Sequence, residues 1–306
     1  MASAVVFAYH NVGVRCLSVL VAQDIDVRLV ITHQDNPNEN IWFGNVRELA
    51  ESYDISVIMP DNPNTPEIIT RLKDCQVDFL FSFYYRNMLS KAILETGKRG
   101  AFNMHGSLLP KYRGRVPVNW AIIHGEVETG ATLHVMNEKP DNGAIVDQFA
   151  VPILPDDTSA QVLNKVTVAA ELVLSRCLPD LVNGDAKFTP QDLSKGAYFG
   201  SRKAEDGRIN WQQSAYAIHN LVRAVSEPFP GAFFDTPQGK VIIWQTRVTK
   251  LFEVGKPAMF AKNKCSLYLR CADNQLLRVL KSELNGQPLD ANNFSLLFDG
   301  KGMIEL

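Results

Sequence analysis

The chain lacks the features that define several large functional classes. No apolar run in its 306 residues approaches the roughly 20 needed for a membrane-spanning helix, so no membrane partner is expected. Lys plus Arg number 31 against 33 Asp plus Glu, and the formal net charge is −2. No overall field therefore draws nucleic acid or an anionic bilayer. The five cysteines, Cys16, Cys75, Cys177, Cys265 and Cys271, are odd in number and form no C-x-x-C pair. Free thiols in a cytoplasmic protein are expected, with no metal site. The N-terminus, MASAVVFAYH, has no basic stretch ahead of a long apolar core, so no signal peptide is expected. Gly13 is the only glycine between the first strand and its helix. Without G-x-G-x-x-G, the usual pyrophosphate mode of dinucleotide binding is unsupported. There is no G-x-S-x-G elbow either, so a serine-based covalent intermediate is not expected.

What is present is a regular alternation. Strand-like runs at Ala4 to Ala8, Val27 to Thr32, Ile55 to Met59, Phe79 to Phe83 and Ala101 to Met104 alternate with helix-like segments. Those segments are Val14 to Gln23, Asn45 to Tyr53, Pro66 to Lys73 and Val118 to His124. Continuous apolar strands between helices predict a parallel sheet covered on both faces, a doubly wound, Rossmann-like α/β domain. Thr132 to Met136 and Ala144 to Val151 add two strands, and Thr158 to Leu181 a long amphipathic helix ending at Asn183-Gly184. Beyond a polar crossing, Ser214 to Val225 reads as a helix, followed by short alternating strands such as Lys240 to Trp244. A hairpin joins Ser266 to Arg270 with Leu276 to Leu280. This pattern predicts a smaller, OB-like β-barrel. The expected domains are residues 1–190, catalytic, and 201–306, β-rich.

The most informative stretch is Phe102 to Trp120, FNMHGSLLPKYRGRVPVNW. Asn103 and His105 stand at i and i+2 of a short strand and so share a face. An amide beside an imidazole suits an oxyanion donor next to a proton-transfer group. Asp141, in KPDNGAIV, can join them if the loop 137–142 folds back over the sheet. Its carboxylate would then orient the imidazole and raise its pKa. Asn103, His105 and Asp141 together would serve acyl transfer to an amine, without a nucleophilic side chain.

These motifs, with FAYH at the first strand, FSFYYR at the fourth and ETGATLHVMNEKPDNGAIV downstream, resemble the 10-formyltetrahydrofolate-dependent formyltransferases. The wording HGSLLPKYRGR-P-NW most resembles the sugar branch that N-formylates UDP-4-amino-4-deoxy-L-arabinose in lipid A (lipopolysaccharide) modification and polymyxin resistance. The resemblance runs from Val5 to at least Ala232 and includes SRKAEDGRINW, HNLVRAV and PFPGAF. It implies that His105 is the proton donor or acceptor, supported by Asn103 and Asp141. It further implies a formyl-folate site along Asn87, Met88 and Leu89, completed by Arg115 and by Asn137, Glu138, Lys139, Pro140 and Asp141. Asn87 and Met88 stand where that branch has His and Leu, and MNEKPD where it has MVKRAD. Lys111, Arg113 and Arg115 offer cations for a diphosphate or for folate carboxylates.

Methionyl-tRNA formyltransferase is the alternative within the same chemistry. It typically carries HASLLPRWRGAAP and a long basic insertion after the second strand. Here THQDNPNENIWFGN, residues 32–45, has no Lys or Arg. It therefore forgoes the counterion release that supplies most nucleic-acid affinity. The expected partners are a nucleotide-linked amino sugar and folate, with no nucleic acid. A catalytically silent folate- or nucleotide-sugar-binding module is the alternative from another class.

Overall fold

The computed structural model describes residues 1–37, 39–262 and 265–306. The chain forms two compact units. One comprises Met1–Pro117, Glu128–Pro152 and Leu163–Gly200; the other comprises Val118–Val127, Ile153–Val162 and Ser201–Leu306.

The first half of the chain runs β1 (Ser3–Ala8), α1 (His10–Ala22), β2 (Asp26–Ile31), α2 (Val46–Ser52), β3 (Val57–Ile58), α3 (Pro66–Cys75), β4 (Phe79–Phe83), α4 (Lys91–Leu94) and β5 (Gly100–His105). It continues through β6 (Arg113–Gly114), α5 (Pro117–Ile123), β7 (Glu128–Val135), β8 (Ile145–Pro152) and α6 (Ser159–Asn183). The sheet order is β3-β2-β1-β4-β5-β7-β8. Strands β3 to β5 pair in parallel, as continuous apolar strands predict. All five residues of β4 and all six of β1 are buried. Val5, Phe7, Leu29, Ile31, Leu72, Leu80 and Ile93 form one core cluster. Phe79, Phe81 and Phe102 pack together with their rings tilted against one another. Each such side chain stabilises the fold by about 1.5–3 kcal/mol on burial.

The sheet is mixed, because β7 and β8 join it antiparallel. Both pairings are antiparallel, so β7 alone runs against the other strands and β8 returns to their direction. A short loop, 136–144, then joins β7 to β8 as a hairpin, and this loop carries Asp141. Helix α1 begins at His10, four residues before the apolar pattern indicates, and α4 has no counterpart in that pattern.

In the second unit, α7 (Ala215–Val225) is capped by the Ser214 hydroxyl, which accepts from the Ala217 N–H at 3.3 Å. Between α6 and α7 lies β9 (Tyr198–Phe199), which belongs to the first unit and pairs with β6. The remaining elements are β10 (Ala232–Thr236), β11 (Gly239–Phe252), β12 (Ala258–Lys262), β13 (Ser266–Arg270), β14 (Gln275–Leu284), β15 (Gln287–Pro288), α8 (Phe294–Leu297) and β16 (Met303–Glu305). The sheet is antiparallel in the order β10-β11-β14-β13-β12-β16. Register shifts along β11 curl it into a half-barrel.

Candidate active site

Asn103 and His105 occupy alternate positions of β5, and their cross-strand partners on β7 are His134 and Thr132. His105 is 6% exposed. Its Nε2 lies 2.8 Å from the Tyr112 carbonyl oxygen. A carbonyl only accepts, so Nε2 carries hydrogen and donates. The nitrogen left to take up or release a proton is Nδ1, which faces Asp141 Oδ1 at 3.6 Å.

Asp141 adopts a left-handed backbone, φ 54°. Its Oδ2 accepts the Gly114 N–H at 2.8 Å. Its Oδ1 lies 3.4 Å from Nε2 of His134, a side chain 2% exposed. Burial by itself raises the carboxyl pKa, but His105, His134 and the Gly114 amide outweigh it and hold the group well below the usual carboxylate range. Asn103 meets the same cluster through His134, its Nδ2 lying 3.2 Å from Nε2. The three residues singled out in the sequence thus converge. A fourth, His134, links two of them.

His134 reads in the sequence as one more residue of a buried strand, and only the β5–β7 register reveals its place opposite Asn103. Gln191 is a second addition. Its Nε2 donates to the carbonyls of Asp141, at 2.9 Å, and Gly143, at 2.7 Å. Arg113 is not a free cation: it donates to Asn142 Oδ1 at 2.9 Å and to the Gly196 carbonyl at 3.1 Å. Gly143 must be glycine for space, since a Cβ there would fall on the Val135 carbonyl. Ser107, fully buried, donates to the Lys111 carbonyl at 2.6 Å and shapes the turn after His105.

The stretch of Asn87, Met88 and Leu89 is held at both ends. Arg86 N–H donates to His33 Nε2 at 2.9 Å, and Ser90 N–H to Asn64 Oδ1 at 2.7 Å. Asn87 Nδ2 donates to the Asp61 carbonyl at 3.1 Å. Met88 is exposed, whereas Leu89 is buried in the core cluster, so position 89 offers its backbone alone. Arg115, Asn137, Glu138 and Lys139 are exposed and Pro140 half-buried. The Asn137 side chain accepts the Lys139 N–H at 2.9 Å. Among the described residues no cluster of His, Cys, Asp or Glu could hold a metal ion, and no helix is long and apolar enough to cross a membrane.

An amide, a buried imidazole and an ionised carboxylate can stabilise a tetrahedral oxyanion and move a proton beside it. Residues 14–178 match the family model described as formyl transferase, and residues 202–296 match the formyl transferase C-terminal domain. Among solved structures, the chain resembles the Helicobacter canadensis N-formyltransferase in complex with folinic acid and dTDP-3-aminofucose. That match has 21% identity and a TM-score of 0.70, covering 94% of this chain and 100% of the other. WlaRD, a sugar 3N-formyl transferase solved with dTDP and 5-N-formyl-THF, matches at 20% and 0.69, covering 94% and 98%. A sugar N-formyltransferase from a Shewanella species matches at 23% and 0.64, covering 79% and 96%.

Proposed function

The chain belongs to the formyl transferase family, and we propose that it moves the formyl group of 10-formyltetrahydrofolate to the amine of a nucleotide-linked amino sugar. The observation that carries the chemistry is the convergence of Asn103, His105 and Asp141 around one buried carboxylate. The sugar class rests on the HGSLLPKYRGR-P-NW wording and on the neighbours bound to dTDP or a dTDP-sugar. The absence of Lys and Arg from residues 32–45 weighs against a tRNA acceptor. Within this class, UDP-4-amino-4-deoxy-L-arabinose is our preferred acceptor, which makes lipid A modification the corresponding role.

In this reading, the neutral amine attacks the formyl carbon and a new C–N bond forms. The Asn103 amide N–H donates to the oxygen as negative charge develops there. His105 takes the amine proton on Nδ1, and Asp141 stabilises the resulting imidazolium. The bond to the folate N10 breaks, and His105 returns the proton to that nitrogen. No side chain forms a covalent intermediate. The pinned edge at Asn87, Met88 and Leu89 fits recognition of the donor's ring by main-chain groups. Arg115, the exposed Asn137, Glu138 and Lys139, and the half-buried Pro140 complete that site.

The test is formyl transfer from 10-formyltetrahydrofolate to a panel of nucleotide-linked amino sugars, scored by the mass gain of one formyl group, with methionyl-tRNA as a parallel arm. Formylated UDP-4-amino-4-deoxy-L-arabinose is the expected product. Formylation of methionyl-tRNA with every sugar ignored removes the sugar assignment. Donor binding without transfer to any acceptor leaves the silent binding module.

A further inference from the structure

Building on the proton transfer proposed for His105, we infer that residues 189–199, in the crossing that follows α6, form a strap that fixes His105 and Asp141 at their working separation, with Gln191 as its positioning residue. At the start of the strap, Thr189 and Ile145 exchange two N–H···O bonds of 2.8 Å, which tie it to the first residue of β8. Gln191 Nε2 lies 2.9 Å from the Asp141 carbonyl and 2.7 Å from that of Gly143. Carbonyls only accept, so both amide hydrogens are committed, and a flipped amide would set oxygen against oxygen. The Oε1 is buried without a partner among the described residues, a cost that accompanies this orientation.

At its far end the strap pairs, as β9, with β6. The Arg113 N–H donates to the Ala197 carbonyl at 3.1 Å, and the Arg115 N–H to that of Phe199 at 2.9 Å. Successive amides of a strand point to opposite sides, so the Gly114 N–H between them turns away from β9 and meets Asp141 Oδ2 at 2.8 Å. Phe199 also stacks on Tyr112, centroids 5.2 Å apart, and the Tyr112 carbonyl accepts from His105 Nε2. One segment thus supports the acceptor behind the imidazole, the donor behind the carboxylate and the backbone of the carboxylate's own loop. Asp141 stands in the left-handed region at φ 54°, which an L-residue keeps only where its surroundings hold it. Without the two Gln191 bonds that backbone is free to relax, and Oδ1 leaves its place 3.6 Å from His105 Nδ1.

Three measurements on the full chain test this. Gln191→Met keeps the side chain's length and removes both donors. Its kcat is expected to fall about 30-fold while both KM values change less than about threefold, as for alignment lost in the transition state alone. In the same variant the Asp141 carboxyl, followed by ¹³C NMR, is expected to titrate closer to the ordinary carboxylate range than in wild type. The imidazoles that face it, His105 and His134, then no longer hold it ionised. A general loss of stability would leave that titration in place. In wild type, both Gln191 side-chain hydrogens should exchange with D2O at least about 100-fold more slowly than those of an exposed glutamine. A folded Met variant with wild-type kcat, or with the Asp141 titration unmoved, overturns the inference. If the variant does not fold, exchange at the exposed rate in wild type overturns it instead. A wild-type protein that transfers no formyl group refutes the functional reading, while titration and exchange still decide whether Gln191 holds Asp141.

Discussion

Two histidine pairs lie on one sheet or just beyond its strands, and their surroundings treat them in opposite ways. At β5 and β7, His105 and His134 share the carboxylate of Asp141. Beyond β1 and β2, His10 and His33 are enclosed by rings. His10 packs against Phe43, centroids 4.1 Å apart, and Trp42 at 4.9 Å. His33 stacks on Tyr85 at 4.1 Å and 14°. Burial, with the Arg86 cation adding to it, lowers both of these pKa values to about 4. His33 is then a neutral acceptor for the Arg86 N–H down to about pH 4. Residue type does not separate the two pairs; the carboxylate of Asp141 does, and the proton transfer proposed for His105 rests on it.

The strongest way to break this comparison is to remove the imidazole that faces the carboxylate. His105→Ala should lower kcat by about 10³-fold with donor affinity nearly unchanged, as initial rates and donor titrations will show. Asp141→Asn should follow, with about a 100-fold loss in kcat and a pH-dependent loss of stability. The folded Asp141 carboxyl is held below its unfolded value, so its stabilisation is full above roughly pH 4 and is lost as pH falls through the folded pKa. Melting temperatures of wild type and variant should differ by a constant amount at neutral pH and converge in strong acid.

The smallest effect tests the other pair. His33→Gln keeps an acceptor for Arg86 but cannot titrate. In wild type the unfolded chain takes up a proton on His33 below about pH 6.5 that the folded chain refuses until about pH 4. Stability from this group therefore declines as pH drops between those values. The Gln variant should lose less melting temperature than wild type from pH 7 to pH 4, and parallel declines would contradict the electrostatic contrast.

Much of this was legible in the sequence, for identifiable reasons. Apolar strands such as FLFSF and helical spacing revealed the parallel half of the sheet, and the i, i+2 spacing of Asn103 and His105 revealed a shared face. The antiparallel direction of β7 was not legible, because strand residues look alike in either direction and the connection of residues 106–127 is long enough for both. His134 was hidden because its importance comes from register, set by pairing with a strand some thirty residues earlier. Gln191 was hidden because it reaches Asp141 across fifty residues, which no local pattern encodes.

The loop of Asp141 has one further consequence. The Gly114 amide, the Gln191 side chain and the Arg113–Asn142 contact, all supplied by the chain itself, fasten it from three directions. Its ordering entropy is thus settled when the chain folds instead of at each encounter with substrate. Substrate association then involves no disorder-to-order step in the carboxylate, and the barrier to reaction is free of that contribution in every catalytic cycle.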